Sequence, residues 1–259
     1  MVQLSAARAP ELGVRAPVVE SVVWLFRVGS EARVWDWRDG PPDPRQLDQY
    51  RVPKARALSK HVPGAAFSVT TGGTLQFESG LEHLLIRTLD RDRRVSWLLA
   101  QPFELRFRLA DGRSIRHVPD LLSLSDDGVT VWDARAEQRR STRFNVQARL
   151  TQIACDHVGW GYQLFDEPAR VVSVNLIWLG CYRQSPYRDS LTQSRLRNGL
   201  IDGTIQTIGD VARLDSGYGE LLATMWHHIW RGDIECDLAS PFRQTTELHW
   251  ADAEVIGVE

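Results

Sequence analysis

Polar and apolar residues alternate most clearly in the middle of the chain, where FELRFRL (103–109) places Phe and Leu at every second position. This period of two is typical of a half-buried β-strand. Asp111-Gly112 and Asp127-Gly128 are turn dipeptides, and apolar runs at about 115–124 and 129–135 follow them. Residues 103–136 are therefore predicted to form a three-stranded meander.

Helical patterns flank this meander. ESGLEHLLIRTLD (78–90) repeats its apolar residues at helical spacing after a candidate N-cap, Ser79, and FNVQARLTQIACDHVGWGY (144–162) is also predicted to be helical. The continuous apolar run ARVVSVNLIWLG (169–180) favours a buried strand. The predicted order is α-β-β-β-α-β, which indicates a mixed α/β core.

The two ends of the chain have different patterns. Residues 21–37 form two β-rich runs around a turn, which predicts a hairpin. After Pro186 there are three short helical segments, near 191–199, 207–214 and 217–230, followed by two brief strands. This order is typical of a winged helix. We therefore predict an N-terminal extension with a β-hairpin (1–60), a nuclease-like core (61–184) and a winged-helix-like domain (185–259).

Composition and charge narrow the class of protein. With 43% hydrophobic residues, 25% charged residues and a net charge of −2, the chain is predicted to fold and any nucleic-acid site must be local. No apolar run is long enough to cross a bilayer, and three scattered cysteines suggest neither a disulfide framework nor a metal knuckle. A cytoplasmic protein without membrane contact is expected.

Charged residues on the meander form the candidate site. Asp133 and Arg135 are two positions apart on one predicted strand and so project to the same side. A turn at Asp127-Gly128 would set Asp120 opposite Arg135 and diagonal to Asp133. Carboxylates this close repel one another, and Mg²⁺, for which Mn²⁺ often substitutes, would relieve the repulsion while accepting phosphate oxygens.

The preceding helix adds another acid. Glu82 borders the buried stripe of the 78–90 helix and could reach the sheet, whereas Glu78 is placed to stabilise the helix start. Spacing alone leaves a structural alternative open. In that alternative Asp120 is a turn residue, Glu82 a surface acid, and Asp133 with Arg135 an exposed ion pair.

Several motifs in order resemble the TnsA-like transposon endonucleases of the PD-(D/E)xK superfamily. They are GGTLQFESGLEHLL, QPFELRFRL, RHVPD and VWDAR, with the lead-in KHVPGAAFSVTTGG and the later GWGYQLF, NLIWLGCYR and winged-helix-like tail. The resemblance implies a restriction-endonuclease-like fold that cleaves DNA with Mg²⁺. Partners would be DNA, a DDE-type transposase subunit and an ATPase regulator, and a homodimer is compatible with it.

By position, the resemblance implies that Glu82, Asp120 and Asp133 are metal-binding catalytic acids and that Arg135 stands where the family has a catalytic lysine. Arginine can stabilise a phosphate oxyanion but cannot accept a proton, so this is a departure. A catalytically silent DNA-binding or scaffold subunit, and a repair or defence nuclease, stay open as alternatives. The winged helix could bind DNA or dock a protein.

Structural roles are expected for three histidines, His117, His227 and His228. His227 and His228 are adjacent on a predicted helix and point about 100° apart, so they are expected to be structural. His117 lies three residues before Asp120, and on a strand that odd offset places it on the opposite face. It is expected to be an ordinary strand residue.

Overall fold

The computed structural model describes residues 17–52, 63–184 and 190–251. Two compact units divide these residues: one contains 17–52, 63–90 and 94–167, and the other contains 91–93, 168–184 and 190–251. The predicted domain boundary falls between residues 184 and 185, close to Pro186. Residues 185–189 are outside the described residues. The three-domain division remains a prediction.

The first unit is a mixed α/β structure, as predicted for the chain. Its helices and strands are β1 (Val19–Val28), β2 (Glu31–Val34), β3 (Gly64–Ser68), β4 (Gly73–Phe77), α1 (Gly80–Asp90), β5 (Val95–Ala100), β6 (Phe103–Leu109), β7 (Ser114–His117), β8 (Leu121–Ser125), β9 (Gly128–Ala134), α2 (Thr142–His157) and β10 (Gly161–Phe165). Strands β1 and β2 form the predicted opening hairpin.

Two four-stranded sheets organise this unit. The first has the order β2-β1-β6-β7 and the second the order β10-β9-β8-β5, while β3 and β4 form a separate hairpin. In the second sheet β5, β8 and β9 are successively antiparallel, and β10 runs parallel to β9. Helix α1 contacts β5, β8 and β9, and α2 contacts β10. The second sheet with its helices therefore has the order α-β-β-β-α-β.

The predicted strands of that core were partly wrong. The meander is not one sheet, because its second strand breaks between His117 and Leu121 and the chain passes from the first sheet to the second. Pro119 lies in the break and has no N–H for a strand ladder. The 103–109 strand, β6, pairs with β1 and β7 and so belongs to the first sheet. The first strand of the second sheet is β5, which had not been predicted.

The last core strand was also misplaced. The predicted helix of 144–162 runs into this strand, but α2 ends at His157 and Gly159 adopts a left-handed φ of 76°, which stops the helix before β10. The run at 169–180, predicted as a strand, is instead α3 (Arg170–Leu179). Its buried Asn175, Leu176 and Leu179 share one helical face, a pattern that a continuous apolar run conceals.

An aromatic cluster fills the core of the first unit. Trp24 contacts Phe26, Trp37, Phe103 and Trp160, with ring centroids 4.8–6.0 Å apart. Trp24, Phe26 and Phe103 are at most 2% exposed. These contacts join β1 and β6 of the first sheet to Trp160, which immediately precedes β10 of the second sheet.

The second unit is mostly helical. After α3 it contains α4 (Ser190–Ile201), α5 (Ile208–Leu214), α6 (Glu220–Arg231), β11 (Ile234–Glu235) and β12 (His249–Trp250). The three predicted helices and two brief strands are confirmed, and β11 pairs antiparallel with β12. Helix α6 contacts α3, α4, α5 and β11, and its residues 224–230 are all buried. It is the central helix of the unit.

The adjacent histidines of α6 have the structural roles expected of them. His227 Nδ1 lies 2.8 Å from the Tyr182 carbonyl oxygen, and His228 Nδ1 lies 2.9 Å from the Asp233 carboxylate. Both side chains are buried. In the part of the chain that the structure describes, no helix is long and apolar enough to cross a membrane.

Candidate functional site

The junction of β8 and β9 brings Asp120 and Asp133 side by side. Leu121 pairs with Trp132, so Asp120, one residue earlier, lies beside Asp133. The Asp120 N–H donates to the Trp132 carbonyl at 3.0 Å, and the Ala134 N–H donates to Asp120 Oδ2 at 2.8 Å. The two carboxylates therefore lie at the same level of the sheet, Asp133 on β9 and Asp120 immediately before β8.

The predicted pairing of Asp120 with Arg135 was wrong by two residues. Ser125 pairs with Gly128, so the turn consists of Asp126 and Asp127 and not of Asp127-Gly128. Moving a tight turn by one position changes the pairing partner by two and leaves the facing side unchanged. Asp133 consequently takes the place opposite Asp120 that had been expected for Arg135.

Asp133 is held by two side chains that the sequence did not indicate. It is 2% exposed, and its Oδ2 accepts a hydrogen bond from the Tyr162 hydroxyl at 2.5 Å and contacts His117 Nε2 at 2.8 Å. Burial, followed by the charge of Asp133, raises the pKa of Tyr162 well above its ordinary value, so the phenol stays a donor. No described residue donates to Oδ1, which is left for another ligand.

The interpretation of His117 as an ordinary strand residue was also wrong. It assumed one strand through Asp120, in which an odd offset separates the faces. Because β7 ends at His117 and β8 begins only at Leu121, the alternation of side-chain faces does not continue from one to the other. The His117 ring therefore reaches Asp133.

Glu82 is tied to the start of α1. Ser79 is the N-cap, as predicted: its Oγ accepts from the Glu82 N–H at 3.2 Å and donates to Glu82 Oε1 at 2.8 Å. The Glu78 N–H donates to Glu82 Oε2 at 2.7 Å. This reciprocal arrangement stabilises the helix end, so Glu82 has a structural role whatever else it does.

Electrostatics nevertheless link Glu82 to Asp120. The pKa of Asp120 is raised well above its ordinary value, first by burial and then by the charges of Asp133 and Glu82. Burial is also the main reason that the pKa of Glu82 is raised. From the described residues the Asp120 carboxylate accepts one hydrogen bond, whereas the buried Asp90 accepts bonds from the Ser68 hydroxyl and from two backbone N–H groups. Asp120 is the less well satisfied carboxylate.

Arg135 lies over an aromatic ring at the end of β9. It follows the last residue of β9 and is exposed, and its guanidinium carbon lies 5.3 Å from the centroid of the Phe144 ring. Its backbone N–H donates to the Phe165 carbonyl. Within the described ranges, no ion pair joins Arg135 to Asp120, Asp133 or Glu82.

The residues present fit a divalent cation of the Mg²⁺ type. Among the described residues, no three His, Cys, Asp or Glu side chains form a ready protein cage for a metal. Mg²⁺ does not need one, because it is usually bound through one or two carboxylates together with waters and substrate phosphates. Asp120 and Asp133 offer two neighbouring carboxylates, each with Oδ1 free of a described donor.

A second arginine lies on the acidic side of the site. Arg51 Nη2 donates to Glu78 Oε1 at 2.6 Å, and its Nε donates to Gln101 Oε1 at 3.2 Å. The charge of Arg51 partly offsets the raised pKa of Glu82. No spacing rule connects Arg51 and Gln101 to the acids, so sequence reasoning missed both.

The chain matches no protein-family model, and no curated protein shows significant similarity to it.

Proposed function

We propose that this chain is a Mg²⁺-dependent DNA endonuclease, acting as one subunit of a heteromeric transposase at transposon ends. The observation that carries the proposal is the pair Asp120 and Asp133 at the β8–β9 junction. Around it the α-β-β-β-α-β order, with an antiparallel β5-β8-β9 and a parallel β10, agrees with the restriction-endonuclease-like fold that the motifs imply.

The chemistry follows from what each side chain can do. Asp120 and Asp133 would hold the cation through their Oδ1 atoms, and Glu82 adds negative charge nearby without leaving the helix cap. When bound, the cation supplies a water of lowered pKa and an electrophile for a phosphate oxygen. Tyr162 and His117 hold the Asp133 carboxylate through Oδ2, which would leave Oδ1 for the cation.

A silent DNA-binding or scaffold subunit is the second candidate. It is favoured by the placement of Arg135, whose guanidinium covers Phe144 and makes no described bond to the acids. A nuclease fold can persist after its chemistry is lost. The repair or defence alternative keeps the same site and differs only in the DNA that is cut.

The second unit is proposed to be a winged-helix-like module for docking a protein partner, a DDE-type transposase subunit. Three helices followed by two paired short strands agree with that fold. A helix that reads DNA must present side chains to the groove, but residues 224–230 of α6 are buried. The module therefore has no base-reading surface on that part of α6.

The deciding experiment is a nicking assay on labelled transposon-end DNA and on unrelated DNA of equal length. Each is incubated with Mg²⁺, Mn²⁺ or EDTA, with and without the recombinase encoded beside this chain. We expect cleavage of end DNA that requires the divalent ion and the recombinase. Equal cutting of both DNAs would favour the repair or defence alternative, and no cutting under any condition would favour the silent subunit.

The hydrogen bond from Tyr162 allows a more limited prediction. Tyr162→Phe removes one donor to Asp133 Oδ2, and losing such a supporting bond typically weakens metal binding about 10–100-fold. Calorimetric titration with Mn²⁺ measures this directly. Tyr218→Phe, at an 83% exposed tyrosine, is the matched control and should leave the affinity unchanged. Unaltered Mn²⁺ affinity in Tyr162→Phe would mean that the bond serves folding only.

A further inference from the structure

Gln101 is the one described non-glycine residue with a left-handed backbone, at φ 46°. It is 1% exposed. Its N–H donates to the Asp120 carbonyl at 2.9 Å, and its carbonyl accepts the Tyr50 N–H at 2.9 Å. Residues other than glycine adopt this conformation at a cost and tend to do so at functional sites. The strain therefore lies directly beside the acidic pair.

The side chain of Gln101 carries a second unfavourable feature. Its Oε1 accepts from Arg51 Nε; since a guanidinium only donates, this fixes which end of the amide faces Arg51. The other end, Nε2, is buried and has no hydrogen-bond partner among the residues that the structure describes. An unpaired buried donor destabilises the fold, yet the arrangement directs an acceptor at Arg51.

Arg51 is held from two sides but is not enclosed. Glu78 and Gln101 engage Nη2 and Nε, while Nη1 has no bonded partner among the described residues and the side chain is 50% exposed. A planar guanidinium held in this way is suited to a phosphate oxygen, because its remaining donors point in fixed directions.

We propose that Arg51 binds a backbone phosphate of the DNA beside the Asp120–Asp133 pair, and that Gln101 is the residue that positions it. This rests on the proposed function, because DNA is the ligand. It gives the site a substrate-binding cation on the α1 side, distinct from Arg135. Glu78 acts with Gln101 as a positioning residue, in addition to the helix-stabilising role expected of it.

The test measures DNA binding in EDTA, where no cleavage occurs, over a series of salt concentrations. Each phosphate contact contributes about 0.9 to the slope of log affinity against log salt on duplex DNA. Arg51→Ala should lower the slope by about that amount and weaken binding roughly tenfold at low salt. Arg51→Lys keeps the charge and should keep the slope, with weaker binding because the fork is lost.

Gln101→Asn provides an independent variant. Asparagine tolerates the left-handed backbone but is one methylene too short to support Arg51. The charge remains, so the slope should be unchanged while affinity falls several-fold. Arg38→Ala is the control: Arg38 is exposed and paired with Asp36 on the same unit, and its loss should alter neither quantity. Urea unfolding of every variant verifies folding.

The outcomes separate this inference from the proposed function. An unchanged slope and affinity in Arg51→Ala overturns the inference, even if Asp120 variants lose cleavage and the nuclease proposal stands. An equal fall in the slope for Arg51→Ala and Arg38→Ala also overturns it, because the effect would then be general charge. If the salt slope and affinity fall in Arg51→Ala but not in Arg38→Ala, and the protein does not cleave DNA under any condition, Arg51 is supported as a DNA ligand and the endonuclease proposal is rejected.

Discussion

Asp120→Asn is expected to abolish metal-dependent cleavage and, at the same time, to make the metal-free protein more stable near neutral pH. Asp120 would hold the cation that stabilises charge at the phosphate, and losing a single electrostatic donor at such a site already costs about 10²–10³-fold in rate. Asparagine keeps an oxygen for the Ala134 N–H, which now bonds Asp120 Oδ2. The backbone arrangement at the β8–β9 junction is therefore preserved.

The gain in stability follows from the direction of the Asp120 pKa. Burial and the charges of Asp133 and Glu82 raise that pKa in the folded state, so the folded protein binds the proton more tightly than the unfolded chain, whose aspartates titrate near pH 3.9. Ionisation then opposes folding, and stability is lost as the pH rises from about 4 through the raised pKa. The asparagine variant should match the wild type below about pH 4 and exceed it above the folded-state pKa.

Bound metal should make the wild type the more stable of the two proteins. A ligand that binds only the folded state adds about 2.7 kcal/mol at a concentration one hundred times its Kd, and the wild type should gain this from Mn²⁺ while Asp120→Asn does not. Urea unfolding of both proteins at pH 4 and pH 7, each with EDTA or with Mn²⁺, measures these differences in stability. If Asp120→Asn is less stable than the wild type in EDTA at pH 7, Asp120 is a structural acid and the metal site is rejected.

Asp111→Asn is the matched control. Asp111 is an exposed turn aspartate of the same unit, and its pKa is lowered by hydrogen bonds from the Arg113 backbone N–H and guanidinium. Ionisation of Asp111 therefore has the opposite effect on stability to ionisation of Asp120: it favours folding above the unfolded-state pKa. Its replacement should give no gain at neutral pH and should leave Mn²⁺ affinity and cleavage unchanged.

Local patterns in the sequence were sufficient for much of the fold. The alternation in 103–109, the capped helix after Ser79 and the three helices after residue 190 each depend on neighbours a few residues apart, and each is present. The α-β-β-β-α-β order describes the second sheet with its helices, although β6 and β7 of the first sheet intervene along the chain. Its first and last strands were not predicted, because pairing β5 with β8 and β10 with β9 depends on contacts between distant segments.

The site was predictable only in part, for the same reason. The two aspartates could be found from their positions near a hairpin, whereas their direct pairing depended on a turn one residue earlier than expected. Tyr162 and His117 reach Asp133 from β10 and from the end of β7. Nothing in their spacing indicates this, since a parallel crossover and a break at Pro119 determine where they lie.

Arg135 is the residue on which an active endonuclease and a silent subunit differ most. If the arginine serves in place of the family's lysine, Arg135→Ala should lower the cleavage rate about 10²–10³-fold, the usual effect of removing one electrostatic donor. DNA affinity should stay nearly intact, because the interaction is made in the transition state. Arg135→Lys should retain or increase cleavage.

The position of Arg135 over Phe144 does not by itself prevent this role. An exposed cation–π contact contributes only about 0.5–1 kcal/mol, less than the stabilisation expected from a guanidinium at a charged phosphate, so the side chain can leave the ring when DNA is bound. Phe144→Leu removes the alternative contact and should leave cleavage unchanged or raise it. The measurement is single-turnover cleavage with the recombinase present.

The pattern across these variants separates the two readings of Arg135. A wild type that is inactive with its partner, and an Arg135→Lys variant that cleaves, would identify this chain as a silent subunit and the substitution as the cause. An active wild type with an equally active Arg135→Ala would make Arg135 a surface residue that packs on Phe144. Cleavage would then depend on another cation, and Arg51, bonded to Glu78 and Gln101 beside the acids, is the first to replace.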